Sequence, residues 1–273
     1  MVEQHRSTQR YRAKERADEK RLVKAILELA RRHPRYGYRR ISVLLRRAGR
    51  RVNRKRVQRI WREQGLKVPK KQRKKRRLGS SKNSCSRRRA QRRNQVWTYD
   101  FIFDVTEDGR VLKFFVVVDE HTREGLAIEV ARNFKAVDVI AVLARLVAER
   151  GAPEFIRSDN GPEFIAVAVT AWLERSGIAT AFIAPAAPWE NAYIETFNGK
   201  LRDELLDREV FGSMAEARHL AANFLFDYNH HRPHSSLDYL TPAEYAASCA
   251  PSGSATRRLR SHRKGNLHPA GLS

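Results

Sequence analysis

Apolar residues recur at helical spacing in the first quarter of the chain. Within residues 15–66 they lie three or four positions apart in three separate groups, which predicts three short helices. The apolar residues of these groups are Leu22, Ile26, Leu29, Ile41, Leu44, Leu45, Ala48, Val57, Ile60 and Trp61. Asn53 is suited to the N-cap of the third helix, and Gly65 follows its end. The second and third helices, joined by a short turn, have the spacing of a helix-turn-helix motif.

From residue 96 onward the apolar residues alternate with a period of two, which is the pattern of β-strands. In the first such segment Trp97 and Tyr99 share one face, whereas Thr98 and Asp100 share the other. The segments predicted as strands are 95–105, 111–119, 125–131, 154–159 and 178–183. The segments predicted as helices are 136–150, 162–175, 190–208 and 214–229. The order βββαβαβα predicts an α/β fold, a mixed sheet flanked by helices as in the ribonuclease-H-like fold, preceded by a small all-α domain.

Basic residues are concentrated in the first third of the chain. Residues 1–95 contain 36 Lys or Arg and 6 Asp or Glu, whereas residues 96–273 contain 19 Lys or Arg and 24 Asp or Glu. The formal net charge of the whole chain is +25. Such asymmetry indicates that the first segment binds a polyanion and that the second segment has another function. The polyanion that we expect is double-stranded DNA.

Composition divides the chain into four parts. Residues 1–66 form the predicted helix-turn-helix domain, and residues 96–247 form the predicted α/β core. Residues 67–95 hold 14 Lys or Arg and no acid, so we expect a disordered basic linker that follows the DNA backbone. Residues 248–273 are expected to form a disordered basic tail.

Several classes of protein are excluded by composition. No apolar stretch approaches the ~20 residues that a membrane span requires, and the charged N-terminus lacks the apolar segment of a signal peptide. We therefore expect a cytoplasmic protein. Cys85 and Cys249 are too few for a disulfide framework or a cysteine-based zinc site. The cluster of His230, His231 and His234 is interpreted as a structural feature at a helix end and not as a zinc site.

The first turn of the third predicted helix is basic. Arg54, Lys55 and Arg56 lie where the helix dipole disfavours positive charge. A DNA phosphate or a guanine edge would compensate for this, since the second helix of such a motif presents its N-terminal residues to the major groove. The residues predicted to contact DNA are Arg54, Lys55, Arg56, Gln58 and Arg59. The alternative is a basic helical hairpin that only packs against the rest of the chain.

Three carboxylates occupy positions where α/β sheets build functional sites. Asp100 lies in the first strand, Asp159 at the C-terminal end of the fourth, and Glu195 one turn into the long helix. Converging carboxylates repel each other and require a cation. Oxygen ligands without His or Cys favour Mg²⁺ or Mn²⁺, and a pair of such ions could activate a water or a 3′-hydroxyl and stabilise the leaving oxygen of a phosphodiester. Asp119, which also ends a strand, is the competing candidate for the first carboxylate.

Four sequence motifs resemble those of bacterial insertion-sequence transposases with an integrase-type catalytic core, of the retroviral-integrase superfamily. The motifs are WTYDF (97–101), SDNGPEF (158–164), PWENAYIETF (188–197) and YNHHRPH (228–234). Between Asp159 and Glu195 lie 35 residues, the spacing that gives the aspartate-aspartate-35-glutamate superfamily its name. Upstream, RYGYRRI (35–41) and VNRKRV (52–57) are similar to the helix-turn-helix segment that precedes this core in the same proteins.

The resemblance implies that Asp100, Asp159 and Glu195 are catalytic residues that bind Mg²⁺ or Mn²⁺, as a pair of ions. It also implies cleavage and transfer of DNA strands at the ends of a mobile element, and hence a location at the bacterial nucleoid. The implied partners are the element's ends and target DNA, further copies of the chain in an oligomer on DNA, and a protein from an upstream reading frame. Two alternatives stay open: a metal-dependent nuclease limited to hydrolysis, and a non-catalytic DNA-binding relict.

Arg202 is a further candidate for DNA contact. It lies seven residues after Glu195, which is two helical turns along the same face of the predicted long helix. We expect its guanidinium to hold the phosphate next to the one that is cut. The alternative is an exposed arginine paired with Asp203 or another nearby acid.

Overall fold

The computed structural model describes residues 16–69, 89–158, 167–182 and 192–249. The predicted tail from residue 250, most of the predicted linker, and Asp159 lie outside these residues. The described chain begins with three helices, which are followed by a five-stranded sheet and five further α-helices. No helix in these ranges is long and apolar enough to cross a membrane.

The three predicted N-terminal helices are confirmed. Helix α1 spans Glu19–Arg32, α2 spans Tyr38–Arg47 and α3 spans Arg54–Glu63. Asn53 caps α3 as its position predicts, because its side-chain oxygen accepts a hydrogen bond from the Lys55 N–H at 2.8 Å. The helices pack around a small core of their own, formed by Leu22, Ile26, Tyr36, Ile41, Leu45, Val57, Ile60 and Trp61.

The five strands form one mixed sheet. Their bounds are Val96–Val105 (β1), Val111–Asp119 (β2), Gly125–Ala131 (β3), Phe155–Ser158 (β4) and Ala179–Phe182 (β5). The strands lie side by side in the order β3-β2-β1-β4-β5. β1, β2 and β3 pair antiparallel because short turns join them, whereas β4 and β5 extend the sheet in parallel after helical connections. The predicted mixed sheet is confirmed.

Helices cover both faces of this sheet. Their bounds are Ala136–Arg150 (α4), Val167–Arg175 (α5), Ala192–Leu201 (α6), Met214–His230 (α7) and Pro242–Ser248 (α8). α4 and α5 pack on the face that carries Trp97 and Tyr99, whereas α6 and α7 pack on the face that carries Ile102. Because side chains alternate along a strand, Asp100 belongs to the face covered by α6 and α7.

The predicted helix at 190–208 is not one continuous α-helix. α6 ends at Leu201 and is followed by a π-helical turn, Arg202–Leu206. The Asp207 N–H donates to the Arg202 carbonyl, five residues back, at 2.8 Å. The wider turn lets Leu205 and Leu206, which are adjacent in sequence, both be buried in the core that α6 shares with α7.

The chain is bound to the core before β1 begins. The Asn94 backbone N–H donates to the Asp119 carboxylate at 2.8 Å, and its side-chain amide donates to the Arg150 carbonyl at 2.5 Å. Its side-chain oxygen accepts a hydrogen bond from Trp97 Nε1 at 3.2 Å. The last residues of the segment expected to be a disordered linker are therefore anchored to the core, because an asparagine there satisfies three polar groups of the core.

Candidate active site and DNA interface

Asp100 lies near the middle of the sheet, on the face covered by α6. It is half-buried in the central strand, β1. Its Oδ2 accepts a hydrogen bond from Asn198 Nδ2 at 2.7 Å, and its Oδ1 accepts one from the Phe101 N–H at 2.8 Å. The contact with Asn198 joins β1 to α6 across 98 positions of sequence. Hydrogen-bond donors that face a carboxylate favour its ionised form.

Glu195 lies one helical turn before the residue that binds Asp100. Its side chain is exposed in the first turn of α6. Residues three apart on a helix are neighbours, with Cβ atoms about 5–6 Å apart. The hydrogen bond from Asn198 therefore places Glu195 on the side of α6 that faces Asp100. Asp100 and Glu195, two of the three carboxylates that the sequence singles out, therefore lie on elements that contact each other.

The third carboxylate, Asp159, lies outside the described residues. In the sequence it follows Ser158, the last residue of β4. β4 runs parallel to β1, and Thr98 pairs with Arg157. Asp100 and Asp159 each come two residues after these partners in the sequence. Among the residues that the structure describes, no group of three or more His, Cys, Asp or Glu side chains could hold a metal ion.

The competing carboxylate, Asp119, has a different role. Its residue is 1% exposed, and its side chain accepts hydrogen bonds at 2.8–2.9 Å from the backbone N–H groups of Asn94, His121 and Thr122. Three backbone donors satisfy this buried carboxylate as the cap of the turn between β2 and β3. Asp119 therefore stabilises the turn through its three backbone partners.

Aromatic packing holds α6 against the sheet. Phe197, two residues after Glu195, is buried, and its ring centroid lies 4.5 Å from that of Tyr228 on α7 in an edge-to-face arrangement. A Cβ atom on Gly125 would lie 2.9 Å from Phe197 Cε2 and 2.5 Å from Leu225 Cδ1. The absence of a side chain at the start of β3 is therefore what allows α6 and α7 to approach the sheet.

Asn229 fixes α7 to β3. Its side-chain Nδ2 donates to the Gly125 carbonyl at 2.8 Å, and its Oδ1 accepts from the Gly125 N–H at 2.9 Å. The buried amide therefore satisfies both backbone groups of one strand residue. Sequence reasoning missed this pair, which lies 104 positions apart, and the only signal was an asparagine inside the YNHHRPH motif.

The last residues of the same motif are also engaged within the chain. Arg232 is 3% exposed and binds both carboxylate oxygens of Glu204, through Nε at 2.8 Å and Nη2 at 2.5 Å. Burial opposes ionisation of Glu204, but the hydrogen bonds and charge of Arg232 outweigh it and hold the pKa of Glu204 below its ordinary value. Burial lowers the pKa of His234 to about 3. His231 instead contacts Asp227 on the surface, at 2.9 Å, so the histidines point to different surroundings.

Two of the predicted DNA-contacting residues of α3 have partners within the protein. Arg56 binds the Asp18 carboxylate through Nη1 at 2.8 Å and Nη2 at 2.7 Å, and it also binds Glu19. The hydrogen bonds to Asp18 raise the pKa of Arg56 above its ordinary value. Arg59 binds Glu19 and Glu63. Carboxylates at the start of α1 therefore compensate for the charge of Arg56, where a DNA phosphate or guanine was expected.

The remaining candidates lie at the surface. Arg54 and Lys55 are exposed at the start of α3, and Gln58 is half-buried one turn later. Arg202 is exposed at the first position of the π-helical turn. The alternative partner for Arg202, the Asp203 carboxylate, instead lies 2.8 Å from Arg35.

Models of known domains match most of the chain. A model described as an integrase core domain matches residues 90–188, another of the same description matches residues 176–242, and an HTH-like domain matches residues 17–76. A chain in the structure of the simian T-cell lymphotropic virus intasome in complex with PP2A regulatory subunit B56 gamma has a similar fold. The TM-score of the two chains is 0.52 at 16% sequence identity, and the superposition covers 86% of this chain and 80% of that chain. The predicted fold class is confirmed.

Similar proteins come from bacterial insertion elements. The chain is 39% identical over 242 residues to the IS407 uncharacterized 31.7 kDa protein of Burkholderia multivorans, which covers 89% of this chain and 86% of the relative. It is 41% identical over 223 residues to the IS476 uncharacterized 39.2 kDa protein of Xanthomonas euvesicatoria, covering 82% of this chain but only 64% of that longer relative. It is 28% identical over 222 residues to the putative transposase InsK for IS150 of Escherichia coli, covering 77% of each.

These matches define a class of protein, in which an HTH-like domain precedes an integrase core domain. Within that class the chain belongs to the family of insertion-element transposases. The resemblance of the sequence motifs is therefore confirmed.

Proposed function

We propose that this transposase cleaves the DNA at the ends of its mobile element and joins them to target DNA by metal-dependent transesterification. Asp100, Asp159 and Glu195 are the proposed catalytic carboxylates. The observation that carries the proposal is the hydrogen bond from Asn198 to Asp100, because it brings together the strand and the helix of two of them. The equal offset of Asp100 and Asp159 from the paired residues of β1 and β4 supports the third.

Divalent metal ions fit the residues of the proposed site. Proteins of the integrase family generally use a divalent metal ion. Hard oxygen ligands such as these carboxylates favour Mg²⁺ or Mn²⁺. Asp100 accepts a hydrogen bond through each of its two oxygens, and Glu195 is exposed on the same side of α6. A bound pair of ions would supply activation of the attacking hydroxyl and stabilisation of the leaving oxygen.

Proteins of this family bind DNA and oligomerise. We place DNA binding by this chain in its basic first third, with Arg54, Lys55 and Gln58 as the most accessible contacts of α3. Arg56 and Arg59 would bind DNA only by sharing or exchanging their carboxylate partners. Arg202 is proposed to hold a phosphate near Glu195. An oligomer on DNA and a protein from an upstream reading frame are proposed partners.

Nearly isosteric substitutions test the proposed carboxylates. Asp100→Asn, Asp159→Asn and Glu195→Gln should each lower end cleavage and joining by about a thousandfold or more, because loss of a metal ligand removes several kcal/mol of charge stabilisation. Affinity for end DNA in gel-shift assays should stay largely unchanged. Asp104→Asn is the matched control, since Asp104 lies on the same face of β1 and also accepts a hydrogen bond from the next backbone N–H. Catalysis retained in Asp159→Asn would overturn the assignment.

The same assay separates transposition from simple hydrolysis. With a labelled element end and an unlabelled target duplex, strand transfer yields a longer labelled product. A chain that only shortened the labelled strand would be the nuclease considered as the alternative.

A further inference from the structure

The helix-turn-helix domain is docked on the catalytic core just beyond α6. Arg35, in the turn between α1 and α2, makes two contacts with Asp203 of the π-helical turn. Its Nη2 lies 2.8 Å from Asp203 Oδ1, and its Nε donates to the Asp203 carbonyl at 3.0 Å. A second contact forms at the end of α2, where Arg47 Nη2 donates to Glu244 at 2.6 Å and to the Tyr239 carbonyl at 3.1 Å. The RYGYRRI segment therefore begins with a residue that contacts the core.

The interface beside Arg35 contains polar groups and two buried rings, those of Tyr36 and Tyr228. Tyr36 is 7% exposed, and the Arg232 guanidinium carbon lies 5.9 Å from its ring centroid. Burial raises the pKa of Tyr36 to about 12. Next to this ring a cavity of about 240 Å³ separates the turn before α2 from α7. Because the cavity leaves apolar packing incomplete here, the contacts of Arg35 with Asp203 contribute to how the domain is docked.

We infer that Arg35 is a positioning residue for catalysis, through which the helix-turn-helix domain holds α6, and with it Glu195, in place. The inference rests on the proposed function of Glu195. α6 and the π-helical turn form one continuous helical segment. Asp203 comes eight residues after Glu195, which is about 12 Å at 1.5 Å per residue. Because Asp203 lies in the helical segment that continues α6, we expect a restraint at Asp203 to act on the position of Glu195.

The π-helical turn is suited to this role because its successive carboxylates bind opposite partners. Asp203 binds Arg35 of the helix-turn-helix domain, whereas Glu204 binds Arg232 of the core. An arginine near the end of a helix also interacts favourably with its last carbonyl groups. Movement of the docked domain would therefore be transmitted to the catalytic helix.

Charge reversal in the full-length chain tests the inference. Arg35→Glu should speed backbone hydrogen exchange in residues 192–206 by about two- to fivefold, the range expected for loss of a partly exposed ion pair. It should lower the rate of strand transfer at saturating end DNA by a similar factor. The double variant Arg35→Asp with Asp203→Arg should restore both quantities in part, because the ion pair is re-formed in the opposite sense.

Arg31→Glu is the matched control, because Arg31 is an exposed arginine of the same domain and its reversal changes the net charge equally. It should weaken DNA binding and leave exchange in residues 192–206 unchanged. The inference would be overturned if backbone hydrogen exchange in residues 192–206 were equally fast in the Arg35→Glu and Arg31→Glu proteins. It would also be overturned if saturating end DNA restored the strand-transfer rate of Arg35→Glu to that of the wild type. If exchange responds as expected but the wild-type chain neither cleaves nor joins DNA, the proposed function fails and the coupling stands.

Discussion

At the scale of single residues, Asn229 shows how one side chain fixes a helix to a sheet. Its amide has one donor and one acceptor aimed at the carbonyl and N–H of Gly125. Both residues are buried, so water cannot replace the amide if it is removed. The position of α7, and through Tyr228 and Phe197 the position of α6, therefore depends on this amide.

Asn229→Ala should destabilise the protein by about 2–4 kcal/mol, because two buried backbone groups lose their partner. Denaturant unfolding of the two proteins measures the difference. Asn223→Ala, at an exposed position of the same helix, is the control and should change stability by within about 0.5 kcal/mol. Wild-type stability in Asn229→Ala would show that α7 is held by other contacts.

His234 makes stability depend on pH. Burial lowers its folded-state pKa to about 3, below the ordinary value of 6.5. The folded state therefore favours the neutral ring, so this contribution is fully present above pH 6.5 and is lost as the pH falls toward 3. Between pH 7 and pH 5 the expected loss is about 2 kcal/mol. Burial also lowers the pKa of His33, which adds a loss of the same sign.

The contribution of His234 is isolated by measuring the free energy of unfolding at pH 7 and at pH 5, for both His234→Gln and the wild type. The variant should lose less stability over this interval, whatever its stability at pH 7. Carboxylates held by ion pairs, such as Glu204, have lowered pKa values and titrate below this interval. His231→Gln, at an exposed position, is the control for removal of an imidazole from the same segment. Identical pH slopes in His234→Gln and wild type would contradict the assignment.

At the scale of elements, the π-helical turn defines what the end of α6 presents to its surroundings. Asp203 and Glu204 are held by arginines, whereas Arg202 is exposed at the surface. Arg202 follows Glu195 by two turns, about 10 Å at 1.5 Å per residue. An exposed cation at this distance from the proposed catalytic glutamate is suited to binding DNA that enters the proposed site.

Arg202→Ala should weaken engagement of end DNA and lower strand transfer, with a change in stability within about 0.5 kcal/mol. Arg202→Lys should restore part of the activity if one phosphate contact suffices, and less if a bidentate contact is needed. Arg208→Ala, a neighbouring exposed arginine, is the control. Unchanged melting temperature together with unchanged cleavage and transfer rates in Arg202→Ala would remove the residue from the site.

At the scale of the whole molecule, the charge partition explains how the two domains meet. The first third is strongly basic, whereas residues 96–250 carry 14 Lys or Arg against 24 Asp or Glu. The interface follows this partition, because Arg35 and Arg47 of the first domain bind Asp203 and Glu244 of the core. The basic charge of the first domain, which suits the proposed binding of DNA, therefore also attracts the acidic core.

A fragment of residues 1–95 should bind duplex DNA with an affinity that falls steeply with salt, by a log–log slope of about −0.9 for each phosphate neutralised. A fragment of residues 96–250 should bind weakly, because its net charge is negative. Fluorescence titrations at several salt concentrations measure both. The partition would be wrong if the core fragment bound as tightly as the full chain at equal ionic strength.

Local patterns in the sequence determined the elements and the faces of the sheet. The period of two along β1 places Asp100 with Ile102 whatever the opposite layer is, because side chains alternate along any strand. Asn53 caps α3 through a backbone group only two residues away. The motif spacing likewise identified the family, and with it Asp100 and Glu195, which the structure places on facing elements.

Contacts between distant residues were decided only by the tertiary structure. The partner of Arg56 lies 38 positions away, and that of Arg35 lies 168 positions away. Periodicity reports which side of an element is apolar, but not which charged group of another element will face it. The π-helical turn has the same origin, because the burial of both Leu205 and Leu206 depends on the packing of α6 and α7 against the sheet. The sequence by itself therefore determined the elements and the family, whereas the packing of distant layers determined the docking of the domains and the shape of the helical segment that carries Glu195.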